Sequence, residues 1–171
     1  NYFIIGGTFM ETFAIPCVGA LIELNLDNQK YLLIQERYKD NETIEKGLLE
    51  IPAGKIREYE NIYAALRREV FEETGLEVID IQGEDKSYYT ECNGYTTMNY
   101  QPFACTQNLQ GGYSILLQTF ICRATGTLVE QTNESRSMRW VNCTEIETSL
   151  KEHPELFYPM HINTLSKYLT T

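Results

Sequence analysis

A chain of 171 residues with 43% apolar and 22% charged residues has the make-up of one globular domain, residues 1–171, long enough to bury a substantial core. A formal charge of −10 and a pI near 4.7 argue against a broad basic surface, and so against nucleic-acid binding. They leave room for a small phosphorylated substrate whose charge a bound cation offsets. No apolar run is long enough to cross a membrane, and no basic-then-apolar leader opens the sequence. The expectation is a cytoplasmic protein without membrane contact. The cysteines at 17, 92, 105, 122 and 143 form no C-x-x-C and no cluster with histidine. They read as buried small hydrophobes in a reducing compartment, not as a disulfide framework or a zinc site.

In chain order, residues 1–12 read as an N-terminal arm or edge strand around Gly6-Gly7. Phe13 to Leu24 is a strand candidate, Asn25 to Asn28 is turn chemistry, and Lys30 to Glu36 is the return strand, together a hairpin. A polar loop from Arg37 to Lys46 leads through Leu48–Ile51 into the turn Pro52-Ala53-Gly54. A helical pattern follows and stops at Thr74-Gly75, and Glu77 to Ile81 reads as a strand. Lys86 to Tyr100 is rich in tyrosine and threonine around Asn93-Gly94, a strong local turn signal. Tyr113 to Ala124 is the best strand of the second half. Residues 125–137 read as a polar loop and Met138 to Val141 as a short strand. Glu145 to Lys151 and His161 to Leu169 read as helices. One strand–helix crossover amid hairpins, with late helices, predicts a mixed sheet with helices on both faces.

The chemistry concentrates in the helical stretch. Glu69, Glu72 and Glu73 stand three and four residues apart, which brings three carboxylates to one side of a helix. Leu66 and Val70, with Ile62 and Tyr63 a turn earlier, mark a neighbouring apolar side. Like charges at this spacing repel and call for a counter-charge, for which a divalent cation with oxygen ligands is the natural candidate. The tight turn at Ala53-Gly54 can bring a backbone carbonyl to the same ion, because glycine lets backbone approach closely. Arg68 and Glu72 form an i,i+4 pair able to orient a carboxylate.

From Gly54 to Leu76 the chain resembles the Nudix box: a glycine, five residues, a glutamate, seven residues, then R-E-hydrophobic-x-E-E-x-G-hydrophobic. Gly54, Glu60, Arg68, Glu69, Val70, Glu72, Glu73, Gly75 and Leu76 fill every specified position. The resemblance implies an α/β/α sandwich with a mixed β-sheet, and hydrolysis of a phosphoanhydride with Mg²⁺ or, as a substitute, Mn²⁺. It implies a metal set of Glu69, Glu72, Glu73 and the carbonyl near Gly54. Glu69 acts as base in some members, Arg68 stands beside the acids, and Glu60 takes a supporting part. A base or further ligand from a late loop is common in the family, for which Glu134 is the first candidate and Glu130 the second, both ahead of Arg139-Trp140.

Arg37, Tyr38 and Lys39 are candidates to meet the substrate, and Tyr88, Tyr89, Tyr95 and Tyr100 could stack on a base, although tyrosines in strands more often pack. His153 and His161 flank a proline-containing turn and read as structural. The entry Ile51-Pro52-Ala53-Gly54-Lys55 resembles the version found among ADP-ribose and nucleotide-sugar pyrophosphatases. The proline that many ADP-ribose hydrolases carry about sixteen residues after the box is here Cys92. The implied partner is a small nucleotide-derived substrate, and a homodimer is compatible with the resemblance. The alternatives are a MutT-like nucleoside triphosphate pyrophosphohydrolase acting on oxidised dNTPs, and a non-catalytic nucleotide-sensing Nudix module.

Overall fold

A computed structural model describes residues 3–5, 8–38 and 45–171; Lys39, a candidate for substrate contact, lies outside the described residues. The N-terminal arm is an antiparallel ribbon of its own, β1 (Phe3–Ile5) against β2 (Thr8–Met10). The hairpin follows as β3 (Ile15–Leu26) and β4 (Gln29–Arg37). Its turn is only two residues long. Asp27 and Asn28 both take positive φ, 49° and 61°, which matches the twist of a two-residue hairpin loop, and Asn25 and Leu26 stay in the ladder opposite Lys30 and Gln29.

Two short strands, β5 (Leu49–Glu50) and β6 (Ala53–Lys55), pair with β4 and β3 respectively. Helix α1 (Ile62–Thr74) then starts at Asn61, whose side chain accepts hydrogen bonds from the backbone N–H groups of Tyr63 and Ala64. It ends at Gly75, left-handed at φ 77°. Next come β7 (Glu77–Ile81) and the hairpin β8 (Tyr88–Cys92) and β9 (Tyr95–Asn99), turned by Asn93-Gly94. The chain closes with β10 (Ala104–Gln107), β11 (Ile115–Thr125), β12 (Ser135–Asn142), α2 (Cys143–Glu152) and α3 (Pro159–Leu169).

The central sheet runs β10-β11-β3-β4-β12, with β5, β6 and β7 attached to β4, β3 and β11. β11 lies parallel to β3 and the other pairings are antiparallel, so the sheet is mixed. Side chains alternate across it. Val18, Ala20, Ile22 and Leu33 pack with Ile62, Leu66 and Val70 of α1, whereas Leu21, Leu32 and Ile34 pack with Ile146 of α2 and Leu165 of α3. This is the expected α/β/α sandwich.

Strand β10 is a sheet edge: β11 supplies its hydrogen bonds, and the Thr106 side chain reaches Thr164 of α3 at 3.2 Å. Two expectations change. The 125–137 loop is shorter than expected, since β12 begins at Ser135 and crosses a register shift between Arg136 and Arg139, where Ser137 takes φ 54°. The cysteines are not uniformly buried. Cys17 and Cys122 are, but Cys92 ends a solvent-facing hairpin strand, Cys105 lies on the edge strand, and Cys143 is half-buried. Among the described residues, no helix is long and apolar enough to cross a membrane.

Candidate active site

The site is built where α1 crosses the turn at 52–55. The β3–β6 ladder holds that turn, with Val18 opposite Gly54, and Ala20 N donates to Pro52 O at 2.9 Å. Glu69 lies directly over Gly54. A Cβ placed at 54 would fall 2.0 Å from both the carboxyl carbon and Oε2 of Glu69. A side chain at 54 would displace that carboxylate, and the glycine leaves it room to rest against the backbone.

Arg68 organises the acids around it. Its Nε and Nη2 donate to the two carboxylate oxygens of Glu60 at 2.7 and 2.8 Å, a forked pair. Nη1 donates to Glu69 at 2.5 Å and to Glu72 at 3.3 Å, and Nη2 also reaches Lys55 O at 3.0 Å. The Arg68 hydrogen bond holds the Glu60 carboxyl down to about 2, despite some desolvation. Glu69 goes the other way: burial raises it, Arg68 opposes that, and the charges of Glu72 and Glu134 add to the rise. Arg68→Lys removes the fork while keeping the charge. It is expected to cost about 1–2 kcal/mol, a Tm drop of about 2–8 °C in thermal melts.

Glu73 is 6% exposed. Its Oε2 accepts from Ala53 N at 3.1 Å and from Gln35 Nε2 at 3.0 Å. Gln35 also donates to Glu50 at 3.3 Å, and Arg37 Nη1 donates to Glu50 at 3.2 Å. Burial, and next the neighbouring Glu50 charge, push the Glu73 carboxyl well above the ordinary carboxylate range. A raised folded value means the folded state holds its proton more tightly than the unfolded chain. The metal-free protein should then lose stability as pH rises from the ordinary carboxylate value through the folded one. A divalent cation held by Glu73 would have to displace that proton, so the gain in Tm it would bring should be larger at pH 8 than at pH 5. Glu60 does not interfere in that window, because its contribution is lost only as pH falls towards about 2.

The donor chemistry suits a hard divalent cation: carboxylates from Glu69, Glu72 and Glu73, and backbone exposed at Gly54 by the missing side chain. Among the described residues, no three acidic, histidine or cysteine side chains converge as a ready-made cluster. The reason is visible in the pairing. Glu69 and Glu72 are turned to Arg68, Glu72 also meets Arg57 at 3.6 Å, and Glu73 is turned to Ala53 and Gln35. A cation would compete with these partners for the same oxygens.

The late loop is fastened to the acidic helix. Val129 N donates to Thr74 O at 3.0 Å, Ser135 Oγ to Glu73 O at 3.4 Å, and Tyr38 N to Glu134 O at 2.7 Å. Glu134 is exposed and close enough for its charge to act on Glu69; Glu130 is exposed too.

A cavity of about 180 Å³ adjoins the turn, lined by Glu50, Ala53–Lys55, Arg37, Tyr158 and His161 among others. Arg37 reaches it while paired with Glu45 at 3.1 Å and stacked 4.4 Å over the Tyr158 ring. Tyr38 does not line it; its ring carries Lys46 at 4.0 Å and Arg136 at 4.5 Å. Tyr88, Tyr89 and Tyr95 are exposed and away from the cavity, and Tyr100 packs on Tyr63 and Phe120. Sequence reasoning missed Gln35 and Glu50, polar residues that directly follow the apolar runs Leu32–Ile34 and Leu48–Leu49, and gave His161 no part in a site.

A family model described as NUDIX domain matches residues 16–160. An 8-oxo-dGTP diphosphatase of Buchnera aphidicola (subsp. Acyrthosiphon pisum) is 38% identical over 56 residues. That match takes in 33% of this chain and only 40% of the relative's length. The NUDIX domain of Shewanella oneidensis NrtR, solved with ADP ribose, superposes with a TM-score of 0.62 at 13% identity, covering 92% of this chain and 88% of that one. A MutT protein from Methanosarcina mazei gives 0.56 at 19% identity, covering 93% and 95%. At such identities the two structures share the fold alone. The family match, in contrast, runs through the hairpin, the glycine turn, the acidic helix and the loop that carries Glu134, and on that span the chain belongs to the NUDIX family.

Proposed function

We propose that this chain is a divalent-metal-dependent pyrophosphohydrolase that cleaves the diphosphate of a nucleoside diphosphate linked to another moiety, of the ADP-ribose or nucleotide-sugar type. Divalent metal use is general in the family, and Mg²⁺ is the ion proposed here, with Mn²⁺ as substitute. The observation that carries the reading is the continuity of two features at one turn. Glu69 rests on Gly54, and Gly54, with Ala53 and Lys55, also lines the cavity. The cavity is below the roughly 300–1,000 Å³ of pockets that enclose whole ligands, so it suits one ring system of a substrate whose diphosphate stays outside.

When bound, the cation supplies charge neutralisation for the phosphate oxygens and acidifies the attacking water. The chain's own work is to hold and relay. Glu73, buried and fixed by Ala53 and Gln35, is the rigid ligand; Glu69 and Glu72 complete the set, with Gly54 offering backbone. Arg68 aims Glu69 and Glu72 from its anchor on Glu60. Glu69 or Glu134 takes the proton of the water. Glu134→Gln is expected to lower kcat by about 10²–10⁴-fold with cation affinity unchanged if Glu134 is that base; unaltered kinetics would leave it a solvated loop acid and the role to Glu69.

The second reading, a nucleoside triphosphate pyrophosphohydrolase, draws support from the Buchnera aphidicola relative, whose name is 8-oxo-dGTP diphosphatase. The third, a nucleotide-binding module without turnover, draws support from the NrtR domain solved with ADP ribose. Product release with Mg²⁺ or Mn²⁺ from ADP-ribose, nucleotide sugars, dinucleoside polyphosphates, and normal and oxidised dNTPs separates them, with Glu73→Gln as the blank. Turnover of triphosphates alone selects the second reading, and saturable binding without turnover selects the third.

A further inference from the structure

His161 stands in the first turn of α3, where its backbone N–H donates to Tyr158 O at 3.0 Å. Its imidazole is 1% exposed, packs edge-on against Tyr158 with centroids 5.4 Å apart, and lines the cavity beside the glycine turn. Ring atom Nδ1 is buried without a hydrogen-bond partner. Buried polar atoms are almost always paired, so an unpaired one on a residue that lines a cavity leaves a hydrogen bond for a ligand to complete. Burial, and then the Arg37 charge, hold the imidazole down to about 3. The ring is therefore neutral at ordinary pH and offers one N–H and one lone pair. A neutral ring is no anchor for phosphate. Ile15, Cys17, Leu117 and Met160 make the apolar part of the wall, and Arg37, Glu50 and Lys55 its charged part. A neutral hydrogen-bonding ring set among apolar side chains fits a flat heteroaromatic ring with polar atoms along one edge, and the charged groups by the turn face the rest of a nucleotide.

We propose that His161 is the specificity-determining residue of this protein, hydrogen-bonding through its imidazole to the polar edge of the substrate's nucleobase within the cavity. The proposal rests on the nucleotide reading given above and deepens it. Sites built to hydrogen-bond a ligand group discriminate strongly against ligands lacking it, because the buried partner is then left unpaired. His161→Phe keeps an aromatic ring against Tyr158 and removes both nitrogens; His161→Asn keeps a polar atom near Nδ1.

Two measurements are needed. The first is kcat/KM with Mg²⁺ for ADP-, GDP-, UDP- and CDP-glucose, which differ only in base. The second is metal-free calorimetric binding of the four nucleoside monophosphates. Wild type is expected to prefer one base by about tenfold or more. In His161→Phe that preference should shrink to about twofold, through KM with kcat little changed, while His161→Asn retains part of it. A purely structural role would lower all four values together and keep their ratios, which would overturn the proposal. So would a wild-type protein that binds all four monophosphates equally. If no diphosphate is turned over but the monophosphates bind with a preference that His161→Phe abolishes, the hydrolytic reading falls and the role of His161 stands.

Discussion

Gly54→Ala is expected to lower kcat/KM by about 10²-fold or more while leaving the circular dichroism spectrum unchanged. A methyl at this position would lie 2.0 Å from Cδ and Oε2 of Glu69 and 2.5 Å from Oε1. The carboxylate cannot stay, and Arg68, which holds it at 2.5 Å, is itself clamped by Glu60. The strain thus falls on the group on whose position the proposed reaction depends. Steady-state kinetics beside a thermal melt would check this; a fully active Gly54→Ala protein would mean that Glu69 has no catalytic position to lose.

Glu73→Gln should reduce turnover further, by about 10³-fold, corresponding to the several kcal/mol that a ligand of the catalytic ion supports. Its effect on the fold should be neutral or favourable. The amide oxygen can still accept from Ala53 N and Gln35, and the new NH₂ group faces a neighbourhood that includes Glu50 and Glu69, where a negative charge was costly. The metal-free variant is expected to melt about 2–4 °C above wild type, the equivalent of about 1 kcal/mol for a chain of this size. It should also lose most of the Tm gain that Mg²⁺ gives the wild-type protein. A melt that still responds fully to Mg²⁺ would remove Glu73 from the metal set.

What was legible in the chain was local. The helix from Ile62 to Thr74 announces itself by its apolar period and its Gly75 stop, and the acids along it by their spacing. The two hairpins are readable from Asp27-Asn28 and Asn93-Gly94 because those residues tolerate left-handed backbone. What stayed hidden depends on contacts between distant segments. Glu73 reads like its solvated neighbours, yet it is buried because Gln35, 38 residues away, and the Ala53 amide meet it under the sheet. Tyr38 looked available for a substrate ring, but Arg136, brought alongside by β12, and Lys46 already occupy it. His161 carried no signal at all, since a cavity wall assembled from five separate strands and a helix leaves no spacing to read.

The fastening of the late loop has a consequence for protein engineering. Val129 is tied to Thr74 at one end, and Glu134 and Ser135 are tied to Tyr38 and Glu73 at the other. The backbone of Glu134 is thus registered to the helix by its anchors and not by the number of residues that precede it. An insertion between Glu130 and Gln131 would lengthen the span without shifting the carboxylate against α1. Grafted recognition segments, or a reporter peptide displayed beside the catalytic face, have a natural point of entry there.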